Sequence, residues 1–196
     1  HFIFNCLNSI QGFIAVGDKT NAMRYLARFA KLVRSTLDSS LENRISLDQE
    51  VAMLESYLAL EQMRFDEKFE FQLTVADNIG RETTQLPPLL VQPFVENAII
   101  HGLSDASRKG RIDICYEQDN GNLKVTVTDN GIGIRASEKK KQANSSLHKS
   151  VGMTLTRKRL ELLDQSGKEE NVVVEELTDE AGKVNGTRVT VWIRRF

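Results

Sequence analysis

The hydrophobic period of this chain changes near residue 66, and that change limits what it can fold into. Before it, apolar residues recur at helical spacing throughout; after it, alternating stretches appear, with helical ones between them. Ile3, Leu7, Ile10 and Ile14 mark one stripe over residues 1–16, with His1, Asn5 and Asn8 on another face. Gly17 and Asp18 break the pattern, and Asp18 or Thr20 can cap a second helix running to about Ser39, with Met23, Leu26, Ala30, Val33 and Leu37 expected inward. Ser46 and Gln49 have the spacing of a capping box. They open a third helix, with a stripe of Leu47, Val51, Leu54 and Leu58, that ends near Phe65. Three amphipathic helices in succession predict a hairpin or bundle that buries a face against a partner chain.

Beyond residue 66, Phe69, Phe71, Leu73 and Val75 alternate and predict a strand. Residues 93–102, Pro-Phe-Val-Glu-Asn-Ala-Ile-Ile-His-Gly, read as a helix with Pro93 near its start, where a missing N–H is tolerated. Phe94, Val95, Ala98 and Ile99 supply its core face, and Asn97 and His101 stand one turn apart. Arg111–Glu117 and Leu123–Thr128 read as strands around a turn containing Asn120 and Gly121. Residues 130–150 read as a polar loop and Val151–Gln165 as a helix. Val172–Leu177 and Thr187–Ile193 are the last strands, with Gly186 and Thr187 beginning the final one. The fold class is α+β: a helical region, residues 1–66, followed by a two-layer α/β sandwich with a mixed sheet, residues 67–196.

Charge adds one exclusion. With 26 basic and 27 acidic residues, nothing electrostatic points to nucleic acid. Cys6 and Cys115 lie inside apolar patterns without metal-ligand spacing, so both are expected as buried thiols. No apolar run reaches membrane-spanning length. The chain begins with His in the middle of a helical pattern, which reads as a fragment of a longer protein.

A carboxamide beside a core face, as at Asn97, needs something to hold. Further downstream, Asp129, Gly131 and Gly133 follow a strand directly. Such a carboxylate can accept a hydrogen bond from an exocyclic amine, and the glycines let backbone approach a planar ring; an ordinary turn has the same pattern. Gly152 opens a helix, where free N–H groups suit phosphate or merely punctuate the chain.

In this order and these contexts, the four stretches resemble the nucleotide-binding domain of the histidine kinase, gyrase, chaperone and mismatch-repair ATPase superfamily. The resemblance implies that Asn97 holds Mg²⁺ against the phosphates and that Asp129 reads adenine. It matches Gly131 and Gly133 to the first glycine box, Gly152 to the second, and Gly186 with Thr187 to the third. The N-terminal run His1-Phe2-Ile3-Phe4-Asn5 is similar to the phosphoacceptor box of LytS/YehU-type sensor histidine kinases. Tyr57–Phe65 and Leu86–Asn97 also look like that family. A two-component sensor kinase is implied: ATP phosphorylates His1, and the phosphoryl group passes to an aspartate of a response regulator. A homodimer and a membrane-anchored parent protein are implied with it.

Unperturbed imidazole titrates near pH ~6.5, so His1 would offer a neutral nucleophilic nitrogen at pH 7. Asn5, one turn on, could orient the ring or a water, or could be an interfacial Asn. Phe2 stands where many sensor kinases carry an acidic residue, which makes Glu96 the candidate to orient or accept a proton; a local salt bridge is its other reading. The chain departs from the family at Ile100, Ser150 and Leu155. Ile100 replaces a cation expected on phosphate, with His101 as a possible substitute, whereas Arg157 and Arg159 follow the pattern. Two alternatives stay open: an ATP-driven conformational clamp, and a non-catalytic nucleotide-sensing or dimerisation module. The clamp proteins place a water-activating Glu where this chain has Pro93. Residues 134–150, with Lys139, Lys140, Lys141 and Lys149, are expected to form a lid that orders over nucleotide.

Overall fold

The computed structural model describes residues 2–102, 108–133 and 171–193, and only the backbone of His101 and Gly102. The expected lid, the helix opened by Gly152, and the positions of His1, Gly152 and Arg157 lie outside the described residues.

Helix α1 (Phe2–Ala15) turns at Gly17, whose φ of +76° suits a residue without a side chain, into α2 (Lys19–Ser40). Asp18 caps α2, its carboxylate accepting the Asn21 N–H at 3.0 Å. A two-residue strand β1 (Ile45–Ser46) leads into α3 (Leu47–Arg64). Ser46 and Gln49 form the expected reciprocal capping box. β2 (Phe69–Val75) follows, then a second two-residue strand β3 (Gln85–Leu86) that pairs antiparallel with β1. The helix α4 (Gln92–Asn97) continues as a wider π turn over Ala98–Gly102. The strands β4 (Gly110–Asp119), β5 (Asn122–Asp129), β6 (Val172–Thr178) and β7 (Val184–Ile193) complete the described chain.

One mixed five-stranded sheet runs in the order β2-β4-β5-β7-β6. β2 is parallel to β4 and the other pairs are antiparallel. The β4–β5 hairpin closes with Asn120 at φ +47° and Gly121 at φ +82°, the left-handed pair that a two-residue turn requires. One face of the sheet supplies Ile112, Ile114, Tyr116, Val125, Val127 and Val191 to the core, which α3 and α4 meet with Leu58, Leu60, Phe94 and Val95.

The third helical stripe is buried as expected: Leu47, Val51, Leu54 and Leu58 are all inside. The first two stripes lie mostly on the other side, although Ile10 packs against the core and Val33 is half-buried. Ile3, Leu7 and Ile14 of α1 and Met23, Leu26 and Leu37 of α2 are exposed, Met23 by 73%. The faces that do pack are Phe2, Cys6 and Phe13 on α1 and Ala22, Tyr25 and Leu32 on α2. Both helices are apolar on two faces, and within one chain only one face is covered. Cys115, expected buried, is half-buried, and both cysteines are free thiols. Among the described residues no helix is long and apolar enough to cross a membrane.

The joint between α3 and α4 is built by a buried carboxylate. Glu50 of α3 is 2% exposed and accepts the Leu89 N–H at 3.0 Å and the Val91 N–H at 3.3 Å. Val91 is the N-cap of α4, and Leu89 sits at φ +59°. A bulky residue in the left-handed region persists only where its surroundings hold it, and here its own amide and that of Val91 are clasped by Glu50.

Candidate functional site

Asp129 is the last residue of β5, a strand of strict alternation whose inward side chains are Leu123, Val125, Val127 and Asp129. The period that buries three aliphatic residues therefore buries a carboxylate at the strand's end, 6% exposed. Its Oδ1 accepts the Gly131 N–H at 2.8 Å, and the Thr187 amide also donates to the carboxylate. Burial pushes the Asp129 carboxyl up to about 6, against the downward pull of the Gly131 and Thr187 amides and of the Arg108 guanidinium. A buried carboxylate held by two amides is set to receive a donor at a fixed angle.

The glycines around it serve close approach. Gly133 has φ +82°, and a Cβ there would lie 2.4 Å from Val184 Cγ1 and 3.0 Å from Glu176 Oε1. At Gly186 a Cβ would lie 2.1 Å from the Asp129 carbonyl oxygen. The first and third glycine motifs, 55 positions apart in numbering (186 − 131), thus meet side by side because β5 pairs with β7, with Asp129 opposite Thr187. Gly186 and Thr187 lie inside β7, which starts at Val184 rather than at Thr187. Asn130 closes the turn by donating to the Lys109 carbonyl at 3.1 Å and accepting the Arg111 N–H at 2.8 Å.

Asn97 ends α4, with Phe94, Val95 and Ala98 buried around it as expected. Its Nδ2 donates to the Pro93 carbonyl at 2.8 Å. That bond fixes the carboxamide with its donor end on the helix and leaves Oδ1 as the end suited to a hard cation. The expectation of a plain helical turn from Asn97 to His101 is corrected: Ala98–Gly102 is π-helical, so the spacing of Asn97 and His101 is that of the wider turn. The His101 side chain is outside the described residues. Ile100 is 47% exposed, an apolar side chain at the position where a cation was expected.

Glu96 accepts from Gln92 Nε2 at 2.8 Å and is half-buried, with no ion pair of its own among the described residues. It stands near a buried group on α3: Glu61, 1% exposed and ion-paired to Arg64. Burial pushes the Glu61 carboxyl up, Arg64 pulls it down, and Glu96 pushes it up further. The first ring of α1 reaches this cluster, with Phe2 packed on Tyr57 at 5.3 Å between centroids. Asn5 is half-buried, and its carbonyl accepts Ser9 Oγ at 3.0 Å. The start of α1 is therefore the end packed on α3.

Sequence reasoning missed Arg108. Its Nη2 donates to the carbonyls of Asn130, Gly131 and Asn185, joining the two glycine turns. Nothing local marks it, since all three partners are backbone atoms distant in the chain. Residues present thus suit a purine ring at Asp129, with glycine backbone on either side, and a divalent cation at Asn97 Oδ1. Among the described residues no cluster of His, Cys, Asp and Glu could hold a metal ion without a ligand's help.

Comparison with known proteins agrees with this geometry. Residues 82–195 match the family described as histidine kinase-, DNA gyrase B- and HSP90-like ATPase, and residues 1–69 match the histidine kinase family. The sensor protein LytS of Staphylococcus haemolyticus is 36% identical over 134 residues, covering 68% of this chain and 22% of its own length. The sensor histidine kinase YpdA of Escherichia coli K12 is 31% identical over 169 residues, covering 85% of this chain and 29% of its own. The chain thus spans under a third of the curated relatives it matches. Among solved structures, the nucleotide-free catalytic domain of the histidine kinase ThkA shares the fold, with a TM-score of 0.50 at 20% identity over 78% of this chain and 95% of that one. The chain belongs to the histidine kinase-, DNA gyrase B- and HSP90-like ATPase family, and within it to the sensor histidine kinases of the LytS type.

Proposed function

We propose that this chain is the kinase portion of a longer two-component sensor, which binds Mg-ATP, phosphorylates His1 and passes the phosphoryl group to a response-regulator aspartate. The observation that carries the reading is the buried Asp129, clasped by the Gly131 and Thr187 amides where two glycine motifs meet. In this reading Asp129 accepts the adenine amino group, and Gly131, Gly133, Gly186 and Thr187 shape the wall against the ring. Gly152 and Arg157 serve the phosphates from the second glycine box, and His101 takes the contact that Ile100 cannot make. Asn97 offers Oδ1 to Mg²⁺, which when bound neutralises phosphate charge.

The neutral imidazole of His1 attacks the γ-phosphorus in line; the bond to the β–γ bridging oxygen breaks and ADP leaves. The imidazole N–H proton goes to a base, for which Glu96 on α4 is the candidate. Asn5 orients the ring. The exposed stripes of α1 and α2 pair with those of a second copy, giving a homodimer, and the parent protein is anchored in a membrane upstream of these residues.

Incubating the parent protein with γ-labelled ATP tests the reading. Acid-labile, base-stable label on His1 supports it; released phosphate without label favours the clamp reading; neither favours a nucleotide-sensing module. Pro93, at the position where clamp ATPases carry their catalytic Glu, has no carboxylate and speaks against the clamp.

A further inference from the structure

Arg108 stands ahead of β4, outside every glycine motif, yet its guanidinium ends on backbone that belongs to two of them. Nη2 donates to the carbonyls of Asn130 and of Gly131, the latter at 3.2 Å, and to that of Asn185 at 2.9 Å. Asn130 and Gly131 immediately follow Asp129, and Asn185 immediately precedes Gly186 and Thr187. The side chain is exposed, so its placement owes nothing to core burial. All three contacts fall on one NH₂ group of the guanidinium, whose permanent charge draws carbonyl oxygens from both segments to the same point.

We propose that Arg108 is a positioning residue for adenine recognition, tying the turn after Asp129 to the strand that carries Thr187 and so fixing the direction of the Asp129 carboxylate. The inference rests on the reading of Asp129 as the adenine contact. The two amides that hold the carboxylate, Gly131 and Thr187, come from the two segments that Arg108 joins. If the segments part, the amides part with them.

Charge acts in the same direction. Arg108 draws the Asp129 carboxyl down, opposing the larger push of burial. The two cations that follow Arg108, one just ahead of β4 and one within it, are paired with other carboxylates. Arg111 pairs with Asp113 at 2.8 Å and Lys109 with Glu70 at 3.2 Å. Glu176 borders Gly133, and Arg188 lies opposite Glu175 in the β6–β7 register. Among the described residues Arg108 is the cation that acts on Asp129. A plain loop clamp would contribute to stability alone. A positioning residue also alters the proton affinity of Asp129 and the binding of nucleotide.

The test compares the 196-residue chain with its Arg108→Met, Arg108→Lys and Asp129→Asn variants. Carbon-13 NMR of the Asp129 carboxyl follows its titration, fluorescence follows binding of trinitrophenyl-ATP from pH 5 to 8, and thermal melting reports folding. Arg108→Met is expected to titrate Asp129 at higher pH than wild type and to bind the analogue about tenfold more weakly at pH 7, as loss of one charge-assisted contact would give. Arg108→Lys is expected to return the titration toward wild type without restoring affinity, because the shorter lysine ammonium stops short of the point that Nη2 occupies between the three carbonyls. A folded Arg108→Met with wild-type titration and affinity overturns the proposal, as does weaker binding with an unmoved titration. Should Arg108→Met fail to fold, a folded Arg108→Lys with wild-type affinity overturns it. If Asp129→Asn binds like wild type, the adenine reading itself fails; if Asp129→Asn binds weakly while Arg108→Met is unaffected, only the Arg108 assignment fails.

Discussion

Replacing Asp129 by Asn should relieve the nucleotide-free protein of a cost that grows as pH rises to neutrality, while it weakens nucleotide binding. The Asp129 carboxyl is pushed from an ordinary 3.8 up to about 6 in the folded chain, chiefly by burial. A folded value above the unfolded one means that the folded state holds its proton more tightly. The contribution of Asp129 is therefore most favourable below about pH 4 and is lost as pH rises through about 6. The shift of roughly two units corresponds to about 3 kcal/mol at 1.36 kcal/mol per unit. Asn carries no charge and can still accept the Gly131 N–H, although its NH₂ must then face the Thr187 amide. That mismatch is a constant offset, so the quantity to follow is how the difference in stability between variant and wild type changes with pH. Urea denaturation at half-unit steps from pH 4.5 to 8 should show it growing in favour of the variant by about 2 kcal/mol. Adenine binding runs the other way. An amino donor favours the ionised carboxylate, so wild-type affinity should fall as pH drops below 6, whereas the variant should bind weakly at every pH, by about 1.5–3 kcal/mol. Parallel stability profiles for the two proteins would refute the claim that burial of this charge is unrelieved without nucleotide. Unchanged affinity by calorimetry would refute the adenine contact.

Gly186→Ala should cost about 1–3 kcal/mol and abolish measurable nucleotide binding, since its Cβ would stand 2.1 Å from the Asp129 carbonyl oxygen; a melting temperature equal to wild type would contradict the close approach. In the parent protein, His1→Gln should leave nucleotide affinity unchanged and eliminate acid-labile label, and label that persists would move the acceptor elsewhere. Placing charge on the exposed helical stripe, as in Met23→Glu with Leu37→Glu, should turn a dimer into a monomer in light scattering at little cost to folding; a double variant that stays dimeric would place the interface on another surface.

The features legible in the sequence are those with a local cause. The capping box at Ser46, the Asn120–Gly121 turn, and the alternation that carries β5 inward to Asp129 each lie within a few residues. What the sequence hid depends on distant partners. The apolar stripes of α1 and α2 were visible, but periodicity finds an apolar face without saying what covers it. Phe2, Cys6, Tyr25 and Leu32 face the rest of the chain, and Ile3, Leu7 and Met23 do not. The π turn after Asn97 leaves no mark in composition, and strands of two residues, such as β1 and β3, have no period to read. Arg108 was invisible because its three acceptors are carbonyls, which every residue possesses.

The clasp of Glu50 on Leu89 and Val91 bears on where this protein can be cut. A break at residue 66 separates the chain by its hydrophobic period, yet it removes the acceptor for two amides at the start of α4 and strips the Leu47–Leu60 face from the sheet. It also removes the β1 partner of Gln85 and Leu86. Expression of residues 67–196 should therefore give a sticky, proteolysis-prone product, with Leu89 free to leave its left-handed conformation and Asn97 no longer aimed. A fragment begun at Arg44 keeps the capping box, the clasp and the short strand pair together. Limited proteolysis offers the comparison: cleavage between Leu41 and Arg44 should leave a resistant core, and a resistant core that starts after Phe65 instead would show that α3 travels with the first two helices.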